Sequence, residues 1–137
     1  MALLLAIHFA AAVCAPWVVR RLGRASLYGF ALIPASAAVY AATLTSRVFD
    51  EPVEVAYRWV PALQLDIVLR VDVLTWLMML IVGGVGALVL VYSARYFARD
   101  AQGLGRFGGL FLGFAGAMLG VVMADQTMTL YVFWELT

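Results

Sequence analysis

Lysine is missing from this sequence altogether: all nine basic residues are arginines. Charge of either sign is scarce, at 12% of residues, where a soluble domain carries about a quarter. Histidine and cysteine occur once each, as His8 and Cys14. A single cysteine excludes a disulfide framework and a CxxC metal site, so no metal is expected. The lack of a cysteine cluster, of a pair of haem ligands and of a nucleotide-binding loop argues against a redox enzyme, and no cofactor is expected. A net charge of +1, without a basic patch interleaved with aromatics, gives no sign of a nucleic-acid partner.

What remains is apolar. Of the 137 residues, 66% are hydrophobic, and the mean hydropathy is +1.00. That is the composition of a membrane protein. Residues 2–19, "ALLLAIHFAAAVCAPWVV", are just long enough to span a bilayer. A signal peptide would carry positive charge before its apolar region; here "RRLGR" (20–24) follows it, which favours a retained transmembrane helix. Cys14 reads as a small buried hydrophobe. His8 reads either as a packed, helix-bonded neutral residue or as part of a proton path, because ionisable groups at membrane depth are functional suspects.

Further spans are predicted over 25–46, with Pro34 as a kink, over 73–93 and over 107–124. A fifth begins near Thr127. In the fourth, Gly109, Gly113, Gly116 and Gly120 are spaced 4, 3 and 4, which places them on one side of a helix. Such a seam lets another backbone approach closely and predicts a helix packed inside a bundle. Gly83 and Gly86 hint at the same in the third span. Residues 53–71 instead alternate with period two. Val53, Val55, Tyr57 and Trp59 lead to Pro61-Ala62, and Leu63, Leu65, Ile67, Leu69 and Val71 follow. This reads as a β-hairpin outside the bilayer, against the alternative of an irregular loop.

Arginine counts set the orientation. Arg20, Arg21 and Arg24 lie in one loop, and Arg95, Arg99 and Arg106 in another; both are expected to face the cytoplasm. The hairpin segment carries Arg47, Arg58 and Arg70 among five acids, and it faces outward together with the N-terminus. The fold class is therefore an all-α polytopic membrane protein of the bacterial cytoplasmic membrane. It has four transmembrane helices plus the start of a fifth, with an extracytoplasmic β-hairpin between helices two and three. Residues 1–106 hold helices one to three with the hairpin at about 53–71, and 107–137 hold the fourth helix and the start of the fifth.

Glu135 is the residue that lipid does not explain. It lies about 12 Å along a helix starting at Thr127, in a hydrocarbon layer about 30 Å thick. An ionised carboxylate there costs several kcal/mol unless it is paired, hydrated or protonated. Proton or cation movement is one reading; a protonated, purely structural glutamate is the other. Asp125, in the break before the fifth helix, suits a helix cap. Asp72, just before the third span, suits a cap or an access path. Asp72, Asp125 and His8 are thus secondary candidates for a path or interface.

Several stretches resemble one family, in the family's order: "RWVPAL" (58–63), "LRVDVLTW" (69–76), "VYSARYF" (91–97) and "GAMLGVVMADQTMTLYVFWELT" (116–137). They are similar to the proton-translocating core shared by Mrp-type cation/proton antiporters and the antiporter-like subunits of respiratory complex I. "LLLAIHFAAAVCAP" (3–16) favours the amino-terminal part of the large A-type Mrp subunit. Gln126 departs from the usual Asn, and Val73 from a common Gly. The resemblance implies an ion-translocating role for Glu135, coupled to a lysine two helices further on, for which a chain without lysine has no counterpart. It implies a fragment of one subunit of a hetero-oligomeric Na+/proton antiporter, a transporter rather than an enzyme, whose partners are other subunits, protons, monovalent cations and lipid. An L-type proton-pumping subunit of NADH:quinone oxidoreductase is the near alternative. A small membrane scaffold is the distant one, and a mid-membrane acid speaks against it.

Overall fold

The computed structural model describes residues 1–60, 65–98 and 102–137. Helix α1 (Ala2–Leu22) runs through Pro16 and stops at Gly23, whose φ of 70° is a conformation that favours glycine. A 3-10 turn (Gly23–Ala25) leads into α2 (Ser26–Thr43), and a single short turn, α3 (Thr45–Val48), follows. Strands β1 (Val53–Val60) and β2 (Leu65–Val71) precede α4 (Val73–Tyr96), α5 (Leu104–Met123) and α6 (Thr127–Trp134). Among the described residues, three stretches are long and apolar enough to cross a membrane: Ala2–Thr43, Val73–Tyr96 and Leu104–Met123. The first, at 42 residues, is the continuous helical run that breaks at Gly23.

The break folds α2 back along α1. One apolar cluster joins Leu5 of α1 to Ala41 of α2, Met79 of α4 and Leu119 and Met123 of α5. A second joins Ala15 and Val19 of α1 to Leu27 and Phe30 of α2, Leu90 of α4 and Leu112 of α5. The start of α1, the end of α2, the start of α4 and the end of α5 therefore share one end of the bundle. The arginines of 20–24 and Arg95 lie at the other. Within the bundle α1 packs chiefly on α5, and α2 on α4.

Small residues set both pairings. A Cβ added to Gly83 would meet the Pro34 carbonyl oxygen of α2 at 2.6 Å, and one on Gly86 would meet Pro34 Cβ at 3.1 Å. Such backbone-on-backbone approach is the means by which helices associate where lipid removes the hydrophobic drive between them. Cys14 lies on the exposed side of α1, so it is not the buried hydrophobe expected. The inward positions of α1 are Leu5, His8, Ala11, Ala15 and Val19, which leave Cys14 facing away from the bundle.

The hairpin forms in antiparallel register, Val53 opposite Val71 and Tyr57 opposite Ile67, with an irregularity between Arg58 and Val60. The expected turn at Pro61-Ala62, with Leu63 and Gln64, lies outside the described residues, as does Arg99. The period-two pattern misses Val68. It falls on the polar side of the alternation yet is buried, because the far edge of β2 is covered. Leu69 forms an antiparallel bridge with Ala124, and the Asp125 N–H donates to the Val68 carbonyl at 3.1 Å. The hairpin is thereby laced to the break between α5 and α6.

Candidate functional site

Helix α5 is the element on which the sequence-derived candidates converge. Its flank toward α1 nearly lacks side chains. A Cβ at Gly105 would stand 2.9 Å from Pro16 Cα, at Gly109 2.7 Å from the Ala12 carbonyl oxygen, and at Gly116 2.8 Å from His8 Cβ. Gly113 is looser, 3.6 Å from Ala12 Cβ, and lines an open groove of about 560 Å³ together with Leu136 and Thr137. Gly120 faces the other way and receives the Phe133 ring of α6. The four expected glycines thus serve two neighbours, and Gly105, read from sequence as part of a loop, joins the α1 contact.

His8 is fully buried where α1 crosses Gly116. Its Nδ1 donates to the Leu4 carbonyl one turn earlier, at 2.7 Å. In a neutral imidazole that bond leaves Nε2 as the acceptor. Nε2 is buried and has no hydrogen-bond partner among the described residues.

Asp72 caps α4: its Oδ1 accepts from the Thr75 N–H at 2.9 Å. This bond, with Arg70 nearby, holds the Asp72 carboxyl below its ordinary range against the opposing effect of burial. The Thr75 hydroxyl donates to the Val122 carbonyl at 3.0 Å and ties α4 to α5. Asp125 is not a cap. Gln126 occupies the position before α6 and makes no side-chain cap bond, while Asp125 Oδ1 faces Arg70 Nη1 at 3.5 Å. The Asp125 N–H bonds to Val68 of β2, and its carboxylate faces Arg70 of the same strand. Asp72, Asp125 and Arg70 therefore line one cavity of about 410 Å³ at the hairpin end, and His8 and Glu135 stand apart from it.

Glu135 follows the last residue of α6, its N–H donating to the Tyr131 carbonyl at 3.0 Å. It is eight residues beyond Thr127, about 12 Å along the helix. Its side chain is exposed on the surface of the chain, flanked by the exposed Trp134 and Leu136. Helix α6 turns Thr129 and Phe133 inward, and Glu135 points off that face. The polar residue that sequence reasoning missed here is Thr129, which is 4% exposed. Its spacing of four from Phe133 was the available signal.

Comparison with known proteins agrees with the family resemblance. The family described as "NADH-Ubiquinone oxidoreductase (complex I), chain 5 N-terminus" matches residues 59–108. The A-type subunit of the Na(+)/H(+) antiporter of Alkalihalophilus pseudofirmus is 45% identical over 85 residues, covering 62% of this chain and 11% of that protein. The A/B-type subunit of a probable K(+)/H(+) antiporter of Rhizobium meliloti is 46% identical over 79 residues, covering 58% of this chain and 8% of that protein. A solved structure of the Mrp complex from Dietzia sp. superposes with a TM-score of 0.83 at 34% identity, over 98% of this chain and 14% of the matched one. The chain spans roughly a tenth of the length of these relatives. It is a multi-pass protein of the bacterial membrane, related to the amino-terminal part of the A-type subunit of such antiporters.

Proposed function

We propose that this relative of the A-type Mrp antiporter subunit is part of a membrane subunit of a multi-subunit monovalent cation/proton antiporter, and that Glu135 carries translocated charge. The observation behind the reading is the place of Glu135. It lies about 12 Å into an apolar helix, on a chain similar over nearly its whole length to an Mrp complex component. A carboxyl group at that depth, turned away from its own bundle, changes charge only if another element supplies a partner or a hydrated path. The chain contains no lysine, so the basic partner that the resemblance implies lies outside these 137 residues.

In this reading α1, α2, α4 and α5 are four crossings, α6 begins a fifth, and residues 107–137 open the first translocating repeat. The hairpin and the N-terminus face outward, and the arginine-dense loops face the cytoplasm. Asp72 and Asp125 flank an outer access cavity, His8 sits within the bundle, and the exchanged cation is monovalent, the relatives being named for Na(+) and K(+). The protein is a transporter without catalytic residues. A proton-pumping subunit of NADH:quinone oxidoreductase is the second reading, favoured by the description of the family matched at 59–108.

The test is substitution at Glu135 in the assembled complex. Glu135→Gln keeps shape and hydrogen bonding but removes titration. Exchange, followed as cation-induced collapse of a pH gradient in everted vesicles from an antiporter-deficient host, should fall severely at equal complex abundance. Glu135→Asp keeps a titratable group on a shorter stem and should retain partial activity. A structural glutamate predicts the opposite order, with Gln tolerated and Asp worse. Equal exchange in wild type and Glu135→Gln defeats the translocation role.

A further inference from the structure

At the bundle end opposite the hairpin, the 3-10 turn and the last turns of α4 enclose a cavity of about 540 Å³. It is lined by Gly23, Arg24, Tyr28, Ala94 and Arg95, among others. We infer that this cavity binds the phosphate of an anionic phospholipid headgroup, held between Arg24 and Arg95.

Three independent observations meet here. The first is that both arginines are fixed in place. Arg24 Nη1 donates to the Phe97 carbonyl at 2.8 Å, which ties the 3-10 turn to the end of α4. Arg95 Nε donates to the Tyr28 hydroxyl at 3.3 Å. Each guanidinium has five N–H donors in a fixed fork, so each bond orients the group while leaving donors for an anion. The second is charge. Among the described residues no acid lines the cavity, and Arg20 and Arg21 stand one turn away. The third is depth. Trp17, Tyr92 and Tyr96 are exposed at this end, at 63%, 63% and 67%, and Arg21 lies over the Trp17 ring at 5.4 Å. Exposed tryptophan and tyrosine mark the level where the bilayer turns from hydrocarbon to headgroup. A basic pocket between helices at that level is where a lipid phosphate sits. The chemistry would equally accept a free phosphate; what favours a lipid is that the apolar surfaces flanking the aromatic girdle, including exposed Leu22 and Leu88, lie ready for acyl chains.

The complex containing this chain is purified from its membrane and reconstituted in nanodiscs of phosphatidylcholine with increasing phosphatidylglycerol. Retained phosphatidylglycerol is counted by native mass spectrometry after detergent release, and a photoactivatable phosphatidylglycerol locates it. At about a fivefold loss in affinity per arginine, Arg24→Gln with Arg95→Gln should bind roughly 25-fold more weakly. Arg58→Gln, on the hairpin, should not change retention. The photolabel should fall on residues 22–28 and 94–96. Unchanged retention in the double variant overturns the site. If the double variant does not assemble, the wild-type photolabel decides alone, and labelling elsewhere overturns the site as well. Displacement of the label by millimolar inorganic phosphate, with no dependence on phosphatidylglycerol content, overturns the lipid assignment.

Discussion

Gly109 and Gly113 stand one turn apart on α5, and the structure assigns them opposite responses to the same substitution. Alanine in place of glycine favours a helix by about 1 kcal/mol at either position. That gain cancels in a comparison of the two variants and leaves only what the new methyl group meets. At Gly113 the Cβ would lie 3.6 Å from Ala12 Cβ, an ordinary contact beside an open groove. At Gly109 it would lie 2.7 Å from the Ala12 carbonyl oxygen, which is backbone and cannot rotate away. To regain a separation of about 3.5 Å, the two helices must part locally by about 0.8 Å. Overpacking of that kind costs about 1–3 kcal/mol in a close-packed interior. Gly109→Ala should therefore be less stable than Gly113→Ala by about 1–3 kcal/mol. Gly113→Ala should equal or exceed the wild type. Purified protein in mild detergent, titrated with SDS and followed by tryptophan fluorescence, gives both midpoints. Equal midpoints for the two variants would refute the backbone contact between α1 and α5.

The remaining expectations concern the hairpin end and the orientation. Asp72→Ala removes the cap of α4 and should cost about 0.5–2 kcal/mol in the same titration. Because Asp72 has a lowered carboxyl pKa in the folded chain, its contribution is complete above the unfolded value of about 3.9 and is lost as pH falls through the lower folded value. Asp72→Asn should flatten that acid limb, and an unchanged limb would assign it to other groups. Thr75→Val breaks the hydroxyl bond from α4 to the Val122 carbonyl and should destabilise by about 0.6 kcal/mol, the usual worth of such a bond between membrane helices; a stability gain would count against it. In a Cys14→Ala background, cysteines at Leu22 or Gln102 should react only with membrane-permeant reagents in intact cells, and one at Ala56 with impermeant ones. The reverse pattern refutes the orientation.

Much of this arrangement was legible one element at a time. Alternation in 53–71 exposed the hairpin because one of its faces lies on protein and the other does not. The helices were legible from their apolar runs, though α4 extends to Tyr96 and α5 begins at Leu104, where Arg95 and Arg106 suggested a longer loop. What escaped were consequences of contacts distant in sequence. Val68 is buried by Ala124 and Asp125, more than fifty positions away, so its own neighbours carry no sign of it. Asp125 has the composition of a cap, and only the docking of β2 at this break brings Arg70 within its reach. The glycine spacing on α5 marked close packing but not its partners. Splitting the seam between α1 and α6 required knowing where Phe133 falls.

The lacing of Leu69 to Ala124 is made by peptide groups alone. Substitution at 68, 69, 124 or 125 alters the packing of the buried Val68 and Leu69 or the pairing of Asp125 with Arg70, but leaves the main-chain tie standing unless proline replaces Asp125. A change of chain length does not. One residue inserted between Met123 and Thr127, or within β2, shifts which carbonyl meets which N–H and rotates the start of α6 by about 100°, one residue's share of a 3.6-residue turn. That rotation would swing Glu135 to another side of its helix. The hairpin thus works as a ruler for the bundle: it fixes by counting residues the direction in which the Glu135 side chain points.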